Sequence, residues 1–444
     1  MSQRIYLETY GCQMNVADSE LMLGQLARAG YERTDRPADA DVILLNTCAI
    51  REHAEQRVYG RLGELSRHKV RRPRVVLGVA GCMAQHLRDR LLEKVPAVDL
   101  VVGPDGYRDL PLLVEQAREE PTLALRLSRV ETYGDLTPAR ADAVRAWVSI
   151  MRGCDKFCSF CIVPYVRGRE RSLPLGEVVR QVEHAAAEGF QEIVFLGQTV
   201  NAYRDVEHDF AELLRRANAV SGIARIRYTS PHPSDFTPRT LEALASCEKV
   251  MPQVHLPLQS GSNRVLERMR RIYSIEEYEA LVARLRAAVP GLALSTDIIV
   301  GFPGESDADF EATRAAMERI GYDSAFLFKY SPRPGARSAE WEDDVLEEAK
   351  ARRITTLIEQ QKQASLDRNL SSIGADVEVL VEGPSKRSAT HWFGKSRHFK
   401  TVVFPHRSER VGDLVTVRVA DASPYTLFGD DVPGDVRISE DGAP

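Results

Sequence analysis

The chain has 444 residues, 43% of them hydrophobic and 28% charged, with a net charge of −5. These values exclude a disordered chain and one that coats nucleic acid over its whole surface, so any RNA contact has to be a local patch. No apolar run approaches the roughly 18 residues of a membrane span, and Met1–Tyr10 alternates as a first strand rather than a secretory leader. A cytoplasmic setting is expected, in which the seven cysteines suit metal ligation better than disulfides.

The length suggests about two to four domains. In residues 1–120, Ile5–Tyr10, Val42–Asn46 and Val75–Ala80 are short apolar runs bounded by polar residues and predict buried strands, with a fourth at Val98–Val102. Helical patterns lie at Asp18–Arg28, Arg51–Arg67 and Gln85–Lys94. The alternation predicts βαβ units and a mostly parallel sheet. Cys12, Cys48 and Cys82 each fall just past one of the first three strands. Ligands bind beyond the carboxyl ends of strands in such sheets, so these distant cysteines can converge on a second three-cysteine metal site. Scattered core thiols are the alternative, but they do not explain the shared strand-end position, twice directly after glycine (Gly11, Gly81).

Residues 121–140 lack clean periodicity and read as a linker. From 140 to 370 alternation resumes, with strands expected at Ala146–Met151, Glu192–Gly197, Arg225–Ser230, Val254–Leu258, Ala293–Gly301 and Ala325–Tyr330, and helices such as Leu175–Glu188 and Ile275–Ala288 between them. That pattern suits a partial, open (β/α)6 barrel whose working loops follow the strands. Asp343–Leu370 reads as a long charged helix that leaves the barrel.

The loop after the first of these strands carries Cys154, Cys158 and Cys161 in a Cys-x3-Cys-x2-Cys run. Three thiolates cannot pair off as disulfides without leaving one over. They can hold three corners of a 4Fe-4S cube and leave the fourth iron open to a small molecule. A structural zinc site is the alternative, but zinc motifs come as two close pairs and no partner pair exists. Cys247 has no such context and reads as structural. Gln198, Asn201, Gln259, Ser260 and Asp297 lie in polar or Gly-containing segments at the ends of predicted strands and are candidates to hold the small molecule.

From Ser371 to about residue 440 the pattern changes to short β runs at Val377–Val381, Thr401–Phe404, Leu414–Ala420 and Tyr425–Gly429, which suits a small antiparallel barrel. Within Pro384–Arg410, Lys386, Arg387, Lys395, Arg397, Lys400, Arg407 and Arg410 stand against Glu409 alone, interleaved with His391, Trp392, Phe393, His398 and Phe399. Cations for phosphate and rings for stacking are what looped RNA requires. A solvated basic loop around a core Trp392 is the bland alternative.

The triad with Phe160 before its last cysteine resembles the radical S-adenosylmethionine (SAM) superfamily. Two cysteine triads, a barrel and a terminal small barrel together resemble the radical SAM methylthiotransferases over nearly the whole chain, the small barrel being similar to a TRAM domain. Residues 8–15 (Glu-Thr-Tyr-Gly-Cys-Gln-Met-Asn) and the run from Arg152 to Arg169 are most similar to the branch acting on N6-dimethylallyladenosine of tRNA. Other branches act on threonylcarbamoyladenosine, with Leu-Gly-Cys-Lys-Val-Asn at the first motif, or on an aspartate of a ribosomal protein. The resemblance implies two 4Fe-4S clusters, on Cys12, Cys48 and Cys82 and on Cys154, Cys158 and Cys161, with SAM contacted by the five polar residues above. It implies a 5′-deoxyadenosyl radical that removes hydrogen from C2 of the base next to the anticodon, and sulfur, methylated by a second SAM, delivered from the first cluster. It also implies an electron donor such as flavodoxin or ferredoxin, and an anticodon stem-loop gripped by the basic small barrel through Lys386, Arg387, Lys395, Arg397 and Lys400. An iron–sulfur electron carrier joined to an RNA-binding module is the non-catalytic alternative; ferredoxins use four cysteines per cluster, which argues against it.

Overall fold

The computed structural model describes residues 2–49, 52–142, 144–388 and 390–430. Arg51, the expected start of the second helix, and residues 431–440 of the expected third domain lie outside them.

Six strands form the first sheet: β1 (Gln3–Thr9), β2 (Tyr31–Arg33), β3 (Val42–Thr47), β4 (Val76–Gly81), β5 (Leu100–Val102) and β6 (Thr122–Ala124). All pairs are parallel, in the order β2-β1-β3-β4-β5-β6. Every residue of β3 and β4 is buried, which is why both read as unbroken apolar runs. The three-residue strands β2 and β6 carry too little pattern to be read, and β6 draws the start of the expected linker into the sheet. The chain reverses its direction of travel across the sheet between β1 and β3, the switch point at which flavodoxin-like sheets bind ligands.

Two helices differ from expectation. The first runs from Gln13 to Arg28, starting directly after Cys12, and its buried residues include Asn15, Asp18, Ser19 and Glu20. A polar buried face has no apolar period, so the first turn is illegible. The expected helix Gln85–Lys94 is two pieces, Cys82–Leu87 and Arg90–Lys94, because Arg88 between them takes a φ of 57°.

The second unit contains β7 (Arg145–Ser149), β8 (Met151–Arg152), β9 (Arg171–Ser172), β10 (Glu192–Leu196), β11 (Arg225–Tyr228), β12 (Gln253–His255), β13 (Ala293–Val300) and β14 (Ser324–Lys329). Parallel triplets β7-β10-β11 and β12-β13-β14 are joined by a parallel bridge between Ile226 and Val250, so six strands make an open barrel. β8 peels off to pair with β9 and presents the Cys154 loop at the barrel mouth.

The helix Glu347–Leu370 does not leave the barrel; it lies back along it. Leu357 joins the barrel core. Arg353 donates to Glu305 Oε1 (2.8 Å), Gln361 to the Tyr322 carbonyl (3.1 Å) and Ser365 to the Asp323 carbonyl (2.8 Å). Its inner face is polar because it satisfies the barrel's own carbonyls and carboxylates, so its composition resembles that of a solvated helix.

The third unit is a closed barrel of β15 (Asp376–Pro384), β16 (His391–Ser396), β17 (Thr401–Pro405), β18 (Leu414–Ala422) and β19 (Thr426–Gly429). Its pairs are antiparallel except β17–β19. Its β16–β17 hairpin docks on the amino ends of the large barrel's strands. Arg225 donates to the Lys395 carbonyl and to Glu378 Oε1 (2.8 Å each), and Arg227 to the Ser396 carbonyl (2.8 Å). Arg145 bridges Glu192 (3.0 Å) and Glu382 (2.5 Å) across the seam.

Candidate active site

Cys12, Cys48 and Cys82 follow β1, β3 and β4, so the switch point gathers all three. They share one cavity of about 200 Å³ with Cys154 and Cys161 of the large barrel. Gly11 (φ 134°) makes the approach possible: a Cβ there would lie 2.6 Å from Cys48 Cβ. Asn15 accepts from Cys12 Sγ (3.3 Å) and donates to Asn46 and to the Thr47 carbonyl, tying the two loops together. Cys48 beside it holds the Cys12 thiol down, to about 6. Burial raises the Cys82 thiol and pushes Cys154 and Cys161 up to about 12. A ligating metal must displace those protons.

The loop of the second triad is held just as firmly. Gly153 has φ 80°, and a Cβ would lie 2.0 Å from the Arg169 carbonyl oxygen. Arg271 donates to Cys158 Sγ (3.4 Å) and the Lys156 amide to Cys154 Sγ (3.5 Å). Donors aimed at sulfur stabilise thiolates.

The seam between the sheet and the barrel is charged. Arg152 and Arg167 both donate to Asp18 (2.6 and 2.8 Å), and Arg171 donates to Asp105 (3.0 Å). All five side chains are buried, so three guanidiniums face two carboxylates. Arg167 also donates through Nε to Cys82 Sγ (3.1 Å), while Nη1 of Arg152 and of Arg167 has no partner. A buried cation without full compensation is costly. An anionic, thiolate-bound iron–sulfur group beside Cys82 would supply the missing negative charge, so the residues fit one. Among the described residues, no three His, Cys, Asp or Glu side chains are placed to share a single metal ion. Thiolates that each take a different iron of a cube need no such convergence.

Comparison with known proteins places the three units in known families. Residues 4–103 match the model of Uncharacterized protein family UPF0004, residues 148–317 that of the Radical SAM superfamily, and residues 371–432 that of the TRAM domain. A protein of Chloroherpeton thalassium named tRNA-2-methylthio-N(6)-dimethylallyladenosine synthase is 43% identical over 430 residues, 96% of this chain and 95% of that one. One of the same name from Moorella thermoacetica is 44% identical, covering 96% and 98%. The chain belongs to the radical SAM methylthiotransferases. Among solved structures, the radical SAM methyltransferase TsrM from Kitasatospora setae, with cobalamin and a 4Fe-4S cluster bound, shares the fold with a TM-score of 0.58 at 15% identity. That match covers 76% of this chain and 77% of that one.

Placed in this methylthiotransferase, the five polar candidates separate. Gln198 lines the cysteine cavity, and its buried Oε1 has no partner. Asn201 is bonded both ways to the backbone of His232 (2.9 and 2.7 Å). Ser260 meets Thr313 (3.2 Å) and accepts from the Ser262 amide. Gln259, at φ 72°, joins the edge of β13 through its backbone. Asp297 pairs with His255 (3.3 Å). Gln198 alone of the five lines the cavity; Asn201 and Ser260 are held in loop structure.

The basic residues separate likewise. Lys395 is bonded to Thr401 (2.8 Å) and Lys400 pairs with Asp323 (3.4 Å) at the domain seam, while Arg397, although exposed, reaches the Glu248 carbonyl (3.5 Å). Lys386, Arg387, Arg407 and Arg410 are exposed at the other end of the small barrel. Beside them Trp392 stacks on His406 (4.2 Å between ring centres).

Sequence reasoning missed Asn15, Asp18 and Arg167. The available signal was that Cys12, Asn15 and Asp18 are spaced by three, which is one face of a helix. It also missed the ring pair beside the mouth, where Tyr165, 50% exposed, meets Phe157 edge-on and Arg169 lies over Phe157.

Proposed function

We propose that the chain methylthiolates C2 of N6-dimethylallyladenosine next to the anticodon of tRNA, in the cytoplasm, using two SAM and two 4Fe-4S clusters through a 5′-deoxyadenosyl radical. The observation that carries this is the single cavity in which cysteines of both triads meet. Cys154, Cys158 and Cys161 would hold the SAM-binding cluster, and Cys12, Cys48 and Cys82 the other. When bound, these groups supply one-electron cleavage of SAM and the sulfur.

The protein's share is placement. Gln198 Oε1 is free to accept from SAM, and Arg271 and the Lys156 amide steady the thiolates beneath it. The narrow apolar wall of Ile162, Val163, Val166 and Leu196 keeps water from a reactive carbon. C2 of a base is buried in a duplex, so the reaction needs a base that can be splayed out from a loop. The exposed Tyr165–Phe157 pair offers neighbouring bases a surface to stack on. Lys386, Arg387, Arg407 and Arg410 grip the stem through phosphate, and a flavodoxin or ferredoxin supplies the electron.

Nucleoside mass spectrometry of tRNA from a deletion strain tests the reading. The 2-methylthio form of N6-dimethylallyladenosine should vanish and its unmodified precursor accumulate. Loss of a methylthiolated threonylcarbamoyladenosine instead, or an unmethylthiolated ribosomal-protein aspartate with tRNA unchanged, would replace the substrate.

A further inference from the structure

Arg167 belongs by sequence to the SAM-cluster loop, on the short helix Val163–Arg167 that follows Cys161. Its side chain belongs by contact to the other triad. Nε donates to Cys82 Sγ (3.1 Å), Nη2 to Asp18 Oδ2 (2.8 Å), and Nη1 is buried without a partner while the residue lines the shared cavity. Only 3% of it is exposed. Asp18 is anchored a second time by Arg152 (2.6 Å), so the guanidinium cannot swing away.

We propose that Arg167 is the positioning residue of the Cys12–Cys48–Cys82 cluster, gripping Cys82 with Nε and leaving Nη1 for the cluster's own sulfur. This rests on the reading of that triad as a cluster site. Two consequences follow from one side chain. The cluster that gives up sulfur is fixed to the loop that generates the radical, so the distance between them is set by a helix of five residues rather than by domain packing alone. The cluster also sits beside a positive charge that favours its more negative, reduced state, because net charge and hydrogen bonds to sulfur set such potentials.

The test uses the full-length chain with Cys154, Cys158 and Cys161 changed to Ala, reconstituted anaerobically so that only this cluster remains. Its midpoint potential is read by redox titration with electron paramagnetic resonance detection. Arg167→Gln should make reduction about tenfold less favourable, about 59 mV for a one-electron couple. Arg167→Lys, which keeps the charge, should recover most of that shift. Asp18→Asn removes the opposing charge and should move the potential the other way. Equal and same-signed shifts in Arg167→Gln and Asp18→Asn would mean that the pair only holds the fold, and would overturn the proposal. So would an unmoved potential in Arg167→Gln with about four irons still bound. If the parent variant binds no iron at all, the cluster reading itself fails, and this role with it.

Discussion

Glu20 shows what the seam costs at the scale of one residue. It lies on the buried face of the first helix, where Oε1 accepts from the Ala141 amide (3.0 Å) and Oε2 has no partner. Burial raises its carboxyl to about 7. A folded-state pKa above the unfolded one means stability is full below about pH 4.5 and falls as pH rises through 7. Glu20→Gln should therefore stabilise the protein at pH 8, by at most about 3 kcal/mol from the size of the shift, and the gain should shrink towards pH 5. Thermal unfolding of both proteins at the two pH values measures it, and an equal gain at both would show that folding does not raise the Glu20 carboxyl. Glu20 also marks where the sequence becomes unreadable. The six triad cysteines are legible because their spacing and strand-end positions carry meaning without coordinates. Asp18, Glu20 and Arg167 are not, because a charged residue inside a seam looks the same in sequence as one in water.

The small barrel's two ends make opposite predictions at the scale of elements. The composition of residues 384–410 reads as one basic patch, but strands separate its members: the β16–β17 turn is spent on the large barrel and the opposite loops are exposed. Changing Lys386, Arg387 and Arg407 together to Ala should weaken tRNA binding and flatten its salt dependence. Each lost phosphate contact removes up to about 0.9 from the logarithmic slope. Lys395→Ala and Lys400→Ala should leave that slope unchanged and instead loosen the domain seam, seen as a lower melting temperature or faster proteolysis near Ser371. The reverse pattern would return the RNA grip to the turn. A sequence window cannot see this division, because which end of a hairpin faces a neighbour is decided by Arg225, Arg227 and Asp323, more than 70 residues away.

At the scale of the whole molecule, the fold was legible because each unit has its own period: parallel βα units twice, then short β runs. What was not legible is how the units join, since the joints are polar: Asp18 with Arg152 and Arg167, Arg225 with Glu378, Arg145 with Glu382. The joining makes the metal content a property of the complete chain. Anaerobically reconstituted protein should hold about eight irons, and about four after Cys154, Cys158 and Cys161 are all changed to Ala. Iron and sulfide analysis decides this, and four or fewer in the wild type would remove one cluster.

The docked hairpin also turns the molecule into a caliper. One jaw is the cysteine cavity, past the carboxyl ends of the barrel strands; the other is the exposed end of the small barrel, reached from their amino ends. The run from Arg145 to Arg152 between them spans about 25 Å. If the exposed end carries tRNA phosphate as proposed, a short oligonucleotide would fill one jaw only, whereas a folded stem with its loop would close both. Substrate would then be selected by length and stiffness before any base is read.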